Sequence, residues 1–370
     1  MNEKTKNLVI VCTMAALLLG LSLWCWIKEA DVYTSGERRQ LAQFPELTAE
    51  VIQNGEFMEK FEEYTVDQFP LREKFRSLKA FVSLYVLRQQ DNHGIYEYEG
   101  HLSQNGAPVS QPMLIHAAER FQYLYENYLN GTDVSIYFSI VPDKNYYLAE
   151  ASGHLSTDYS EIVKTMQSKL SFMPYEYIDV SELLEAEDYY RTDTHWKQEC
   201  LLDVSEQLAD ETGVTVQSQY TENELKIPFY GVYSGQYALP SQPDVIRYLT
   251  NDTLSQCIVT SYSTGSPRES VLYNFEKAAG KDPYEFFLSG SEPLLTMENP
   301  LADTDRELVL FRDSFGSSIA PLLLEGYAKI TLIDIRYMQS SILGGFIDFT
   351  NQDVLFLYSD TLLNNSLALR

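Results

Sequence analysis

The chain has 370 residues, of which 45% are hydrophobic and 22% charged. This is ordinary globular usage, and it excludes disorder, a collagen-like repeat or a coiled coil as a reading of the whole. The length exceeds a typical single domain, so one large domain with an appendage, or two domains, is expected. Asp and Glu number 53 against 27 Lys and Arg, a net charge of −26. Such a surface repels phosphate backbones, and no local basic patch offsets it, which argues against nucleic-acid binding. The 27 Tyr and 18 Phe suit a packed core or a surface that stacks on sugars, and composition does not choose between them.

Residues Leu8 to Ile27 carry no charge, and a helix of about 20 apolar residues spans a bilayer. Lys4 and Lys6 precede the run, so the positive-inside rule places residues 1–7 in the cytoplasm and the chain from about Lys28 outside. A cleaved signal peptide is the rival reading. Cleavage after Ala30 would put Lys28 where a small residue is preferred, and the run is long for a signal peptide. The expectation is an uncleaved single-pass anchor at 8–27 in the cell membrane, with everything after it extracytoplasmic. Trp24 is too bulky for a lipid-attachment site at Cys25. Cys12 and Cys25 lie in the run, whereas Cys200 and Cys257 lie where a disulfide is permitted, paired or not. No Cys-x-x-Cys is present, so a zinc ribbon is excluded.

Residues 28–91 read as a helical, amphipathic N-terminal segment. It contains two phrases ending in Phe-Pro, Ser35-Gly36-Glu37-Arg38-Arg39-Gln40-Leu41 followed by Phe44-Pro45, and Tyr64 to Arg72 around Phe69-Pro70. Each Pro marks a helix boundary, because it restricts the residue before it. From 92 to 370 strands and helices alternate. Val134–Val141, Tyr175–Val180, Glu307–Arg312, Ala328–Ile335 and Asp353–Tyr358 read as strands, and Glu161–Phe172 as a helix. His195–Leu208 has helical apolar spacing, and another helix begins around Ile319–Leu324. This alternation predicts an α/β fold with a mostly parallel sheet and helices on both faces. The less regular stretch 214–292, with β-like runs at Gln256–Tyr262 and Ser270–Phe275, reads as an insertion near the active edge.

Two places could carry chemistry. Ser314 follows the apolar strand Glu307–Arg312 and precedes a helix, so it sits where ligands bind in open α/β sheets, beside unpaired N–H groups. It could equally be a helix cap. Asp193 and His195 lie two apart, a spacing that places both side chains on one side of an extended segment. A carboxylate there can orient an imidazole that takes a serine proton. Taken alone, the pair could also be a capping Asp beside an ordinary His. A metal reading is weak, because there is no His-Glu-x-x-His and the other four histidines form no cluster. There is no Gly-x-Ser-x-Gly elbow, no phosphate loop after Gly280-Lys281, and no dinucleotide fingerprint. No cofactor is expected.

Asp193-Thr194-His195-Trp196 resembles the Asp-x-His-Trp signature of the DHHW protein family, which is related to the alginate O-acetylation proteins within the SGNH-hydrolase-like superfamily. In that group the Asp-x-His precedes the serine, as here. Arg312-Asp313-Ser314-Phe315-Gly316 resembles the family's serine block, with Arg312 in place of a glycine. Both N-terminal phrases, Val141 to Lys144 and Leu332 to Tyr337 also resemble family segments. The resemblance runs from about Ser35 to Tyr358 and is loosest between Gly213 and Asp303. It implies a flavodoxin-like sheet, with Ser314 as nucleophile, His195 as base and Asp193 as orienting acid. Lys144, Asn145, Trp196, Arg336 and Tyr337 are candidates for substrate or oxyanion contacts. Against that stand a solvated loop for Lys144 and Asn145, a packing role for Trp196, and an ion-paired structural role for Arg336 and Tyr337.

The implied activity is a serine O-acetyltransferase or acetylesterase acting outside the membrane on a cell-surface polysaccharide or envelope polymer through an acetyl-serine. Acetyl donors are cytosolic, so the resemblance implies a membrane-bound O-acyltransferase as partner. The acidic surface favours a neutral or cationic polymer. The reading from another class is a non-catalytic, membrane-anchored carbohydrate-binding or assembly factor that keeps the fold.

Overall fold

The computed structural model describes residues 2–34, 36–216 and 219–370; Ser35, which opens the first N-terminal phrase, lies outside them. The chain divides into two units, one running to His93 and including Ser234–Pro240, the other comprising 94–233 and 241–370.

The first unit begins with helix α1 (Glu3–Ile27), which buries none of its residues and is long and apolar enough to cross a membrane. Beyond it, a segment predicted as helical opens instead with a small hairpin, Tyr33–Thr34 against Arg39–Gln40. Regular helix follows in α2 (Glu56–Asp67) and α3 (Arg72–Phe81). The two Phe-Pro phrases meet here. Asp67, the last residue of α2, accepts from both terminal nitrogens of Arg39 at 2.7 and 2.5 Å and from the Ala42 N–H at 2.8 Å. The Gln68 carboxamide accepts from the Asp31 N–H and donates to the Asp31 carbonyl, both at 2.8 Å. Arg72 reaches Glu37 at 2.7 Å. The Arg39 guanidinium holds the Asp67 carboxyl below its usual range. These charge-assisted bonds hold the two phrases together, and that explains why charged residues are threaded through both.

The second unit is built on an eight-stranded sheet. In chain order its strands are β1 (Ser135–Val141), β2 (Glu176–Tyr177), β3 (Ile258–Ser261), β4 (Arg268–Ser270), β5 (Leu294–Glu298), β6 (Glu307–Arg312), β7 (Lys329–Ile333) and β8 (Asp353–Ser359). Their spatial order is β4-β3-β5-β7-β6-β8-β1-β2. Strands β7, β6, β8, β1 and β2 pair in parallel, and β5, β3 and β4 extend the sheet antiparallel. This is the predicted α/β architecture with a mostly parallel sheet.

Alternation along β6 shows why both faces are covered. Leu308 and Leu310 point to one side, with Leu355 and Leu357 of β8, and pack under α6 (Leu202–Thr212) and α7 (Gly316–Leu323). Val309 and Phe311 point to the other, with Phe138 and Phe356, and pack under α4 (Gln111–Leu124) and α5 (Tyr159–Lys169). A strand buried on both faces reads as a continuous apolar run, which is how Glu307–Arg312 reads in sequence.

Stretch 214–292 supplies β3 and β4 and so belongs to the sheet. The helix predicted from His195 starts only at Leu202, after a 3-10 turn at Gln198–Cys200. The predicted strand Tyr175–Val180 is reduced to β2. Cys200 and Cys257 are unpaired, and burial pushes both thiols up to about 12.

Candidate active site

The segment from Tyr189 to Trp196 is a tight, heavily tethered loop. Tyr189 bridges to Trp196, and the Tyr190 N–H donates to the His195 carbonyl at 3.0 Å. Asp244 accepts from the N–H groups of Arg191 and Thr192, both at 2.8 Å, and from the Thr192 hydroxyl at 2.6 Å. The Gly231 N–H donates to that hydroxyl at 2.8 Å. A Cβ at Gly231 would lie 2.2 Å from the Thr192 carbonyl oxygen and 2.4 Å from Asp193 Cβ, so only glycine fits.

Lys144 tethers the loop from below. Its buried ammonium donates to the carbonyls of Tyr190 at 2.8 Å, Arg191 at 3.2 Å and Asp193 at 2.7 Å. Sequence offered a solvated loop or a substrate contact for this residue; the structure instead buries it completely behind the loop. Three N–H donors meet three carbonyls, and burial pushes the ammonium down to about 8.

Out of this loop come Asp193 and His195. Asp193 Oδ1 accepts from His195 Nδ1 at 2.6 Å and from the His195 N–H at 3.2 Å, while Oδ2 accepts from the Val232 N–H at 2.9 Å. The ring is therefore fixed at one nitrogen and aimed with the other. His195 Nε2 lies 2.8 Å from Ser314 Oγ. Tyr284 stacks on the imidazole, with centroids 3.8 Å apart and planes 6° apart, and its hydroxyl meets Ser318 Oγ at 2.9 Å. Asp193 and His195 are buried; Ser314 is partly exposed.

Ser314 stands on the turn between β6 and α7. Asp313 fixes that turn: Oδ1 accepts from the Phe315 N–H at 3.0 Å, and Oδ2 accepts from the N–H and hydroxyl of Ser359 at 2.8 and 2.7 Å. Arg312, which stands where the family pattern has a glycine, turns inward. It donates to the Asp313 carbonyl and to Ser317 Oγ, and it lies 3.7 Å from Asp334. Its Cβ occupies the space that a side chain on Gly316 would need. Among the described residues the Ser314 N–H has no acceptor within the protein. It lies immediately before Phe315, the N-cap of α7, where the helix dipole favours negative charge.

The remaining candidates separate. Trp196 is fully buried and donates to the Phe315 carbonyl at 3.1 Å and Ser318 Oγ at 2.9 Å, so it fastens the histidine loop to α7. Asn145 donates to Tyr96 Oη at 3.1 Å. Arg336 is bound to Asp334 at 2.9 and 2.6 Å and lies 5.3 Å from the Tyr337 ring centroid, leaving Tyr337 about half exposed. Sequence reasoning missed Asp244, Gly231, Val232 and Tyr284. All four come from 214–292 or its flank, and nothing local marks them. Among the described residues, no group of three or more His, Cys, Asp or Glu side chains is placed to hold a metal ion.

Gly231→Ala should displace Thr192 and Asp193 and lower kcat about 100-fold, since misplacement by about 1 Å costs that much; steady-state kinetics with the melting curve alongside would check it. Lys144→Met takes the ammonium away from three carbonyls, of which that of Arg191 keeps the Leu102 N–H at 2.7 Å; a donor lost from a buried carbonyl costs about 1–3 kcal/mol, against relief from burying a charge. The folded chain should survive with kcat similarly reduced. In the wild type, an amine above pH 8 keeps two N–H groups for three carbonyls, so kcat should decline as pH rises through about 8. The stability sign is opposite. The folded-state value lies below the ordinary 10.5, so the penalty for the charge is full below about pH 8 and fades toward 10.5.

No family model matches the chain, and no curated protein matches its sequence. Solved structures do. A DHHW family protein from Eubacterium siraeum matches with a TM-score of 0.60 and 21% identity, over 74% of this chain and 92% of that one. Bacillus cereus PatB1 matches with a TM-score of 0.55 and 18% identity over 73% and 96%, and its form with a sulfonyl adduct scores 0.56 at 18% over 73% and 95%. At such identities the likeness is one of fold. The chain thus has the fold of a DHHW family protein, the family that its Asp193-Thr194-His195-Trp196 phrase resembles.

Proposed function

We propose that the protein is a membrane-anchored serine O-acetyltransferase or acetylesterase whose second unit lies outside the membrane and acts on a cell-surface polysaccharide or envelope polymer. The observation that carries this reading is the unbroken line from Asp193 through His195 to a partly exposed Ser314 at the carboxyl edge of a parallel sheet. The choice of an acetyl ester rests on the resemblance of the Asp-x-His-Trp and Asp-Ser phrases to the DHHW and alginate O-acetylation proteins.

Ser314 Oγ attacks the acetyl carbonyl as His195 Nε2 takes its proton. The developing oxyanion is met by the Ser314 N–H and the α7 dipole. The carbonyl re-forms, the donor's oxygen leaves with the proton from His195, and acetyl-Ser314 remains. A sugar hydroxyl or water then attacks that ester. Its proton passes to His195 and on to Ser314 Oγ as the C–O bond to the serine breaks. Asp193 stabilises the imidazolium in both halves. Because cytosolic acetyl donors lie across the membrane, a membrane-bound O-acyltransferase is the proposed partner, with α1 holding the catalytic unit beside it.

The test is intact-mass spectrometry of the full-length protein in detergent after exposure to a chromogenic acetate ester. A single acetyl adduct on the peptide containing Ser314, with release of the alcohol, is expected. Neither adduct nor release from the folded wild type would sink the reading.

A further inference from the structure

A cavity of about 230 Å³ opens at the carboxyl ends of β8 and β1. Its floor is Asp143, which follows β1, and Asp360, which follows β8; both are buried. The strand register fixes its distance from the nucleophile. Arg312 of β6 pairs with Leu357 of β8, and Ser359 of β8 pairs with Val141 of β1. Strands lie about 4.8 Å apart, so Asp360 lies one strand and Asp143 two strands along the edge from Ser314. The link is also covalent and hydrogen-bonded. Asp143 Oδ2 accepts from Thr194, between Asp193 and His195, and Ser359, next to Asp360, binds Asp313, next to Ser314.

The chemistry of the wall is specific. Five of its fourteen lining residues carry carboxamides, and among the described residues no Lys or Arg lines the cavity. Gln104 and Asn365 are exposed at its rim, and among the described residues no side-chain hydrogen bond engages them. Tyr146 stands beside them, 39% exposed. Amides and carboxyls arrayed around a small space match vicinal hydroxyls, and an exposed tyrosine ring matches the apolar face of a pyranose. A uronate or phosphate would meet two carboxyls and no cation. The volume falls below the roughly 300–1,000 Å³ of drug-sized sites and suits a single sugar ring.

We propose that this cavity is the acceptor subsite, holding one neutral pyranose residue of a glycan so that a hydroxyl of that ring or its neighbour reaches acetyl-Ser314. The proposal rests on the acetyl-serine reading above and adds the acceptor's class, neutral rather than anionic. Burial pushes the carboxyls of Asp143 and Asp360 upward, the second further through the nearby charge of the first.

The experiment titrates the full-length protein in detergent with chitotetraose, xylotetraose and mannotetraose, and with tetragalacturonate as the anionic counterpart. At least one neutral probe should bind, and the uronate at least about tenfold more weakly. Gln104→Ala/Asn365→Ala, and separately Tyr146→Ala, should weaken the neutral probe by about tenfold, the value of one good hydrogen bond or stacking contact. Binding of no neutral probe, equal binding of the uronate, or rim variants that bind like wild type would overturn the subsite. The two readings fail separately: an acetyl adduct without sugar binding removes the cavity proposal, and sugar binding without an adduct removes the catalytic one.

Discussion

Ser314→Ala is expected to lower turnover of an acetate ester by about 10⁴-fold or more, with no acetyl adduct in the intact-mass spectrum. The size follows from the role. Without Oγ there is no acyl-enzyme, and only water activated by His195 and the Ser314 N–H remain. The fold should be indifferent to the change. Ser314 is partly exposed, among the described residues its Oγ bonds to His195 alone, and the turn is held by Asp313 and Arg312 instead. Melting curves of variant and wild type should therefore coincide. A variant that retains turnover would place the chemistry elsewhere. A folded wild type that neither turns over nor forms an adduct would return the protein to the non-catalytic carbohydrate-binding or assembly reading.

The second large effect is expected at Asp193→Asn, about 10⁴-fold in kcat with KM little changed. The Asp193 carboxylate accepts from three donors, His195 Nδ1, the His195 N–H and the Val232 N–H. An amide offers one oxygen and one NH₂, so one donor must meet another. If the NH₂ faces the ring, Nδ1 becomes the acceptor and Nε2 carries the proton. The histidine then donates to Ser314 and cannot take its proton. If it faces Val232, the buried mismatch costs about 1–3 kcal/mol. Steady-state kinetics and thermal unfolding together separate the two. Unchanged kcat would mean that Asp193 is only a loop brace.

Much of this site was legible in the sequence, for identifiable reasons. Strand β6 is buried on both faces and reads as an apolar run, so the turn that follows it, with Ser314, could be placed from hydrophobicity alone. Asp193 and His195 are close in sequence, and their spacing carries their geometry. The helix expected from His195 failed because Trp196 and Leu201 are apolar for packing under α7, which mimics helical periodicity in a loop. Lys144 was ambiguous because a buried lysine and a solvent-exposed one look the same as letters. Its partners are carbonyls, which sequence does not display. Asp244, Gly231 and Tyr284 act across gaps of tens of residues, and only the assembled sheet brings them to the histidine.

That assembly has a consequence for when the site comes into being. His195 and Ser314 are separated by 119 positions, and the loop between them must close before either has a partner, a slow step by entropy. Asp313, which sets the serine turn, waits for Ser359 at the end of β8, the last strand of the sheet in chain order. An unfinished chain therefore carries a serine without its base. On the proposed chemistry, Ser314 gains its nucleophilicity only when the sheet is finished.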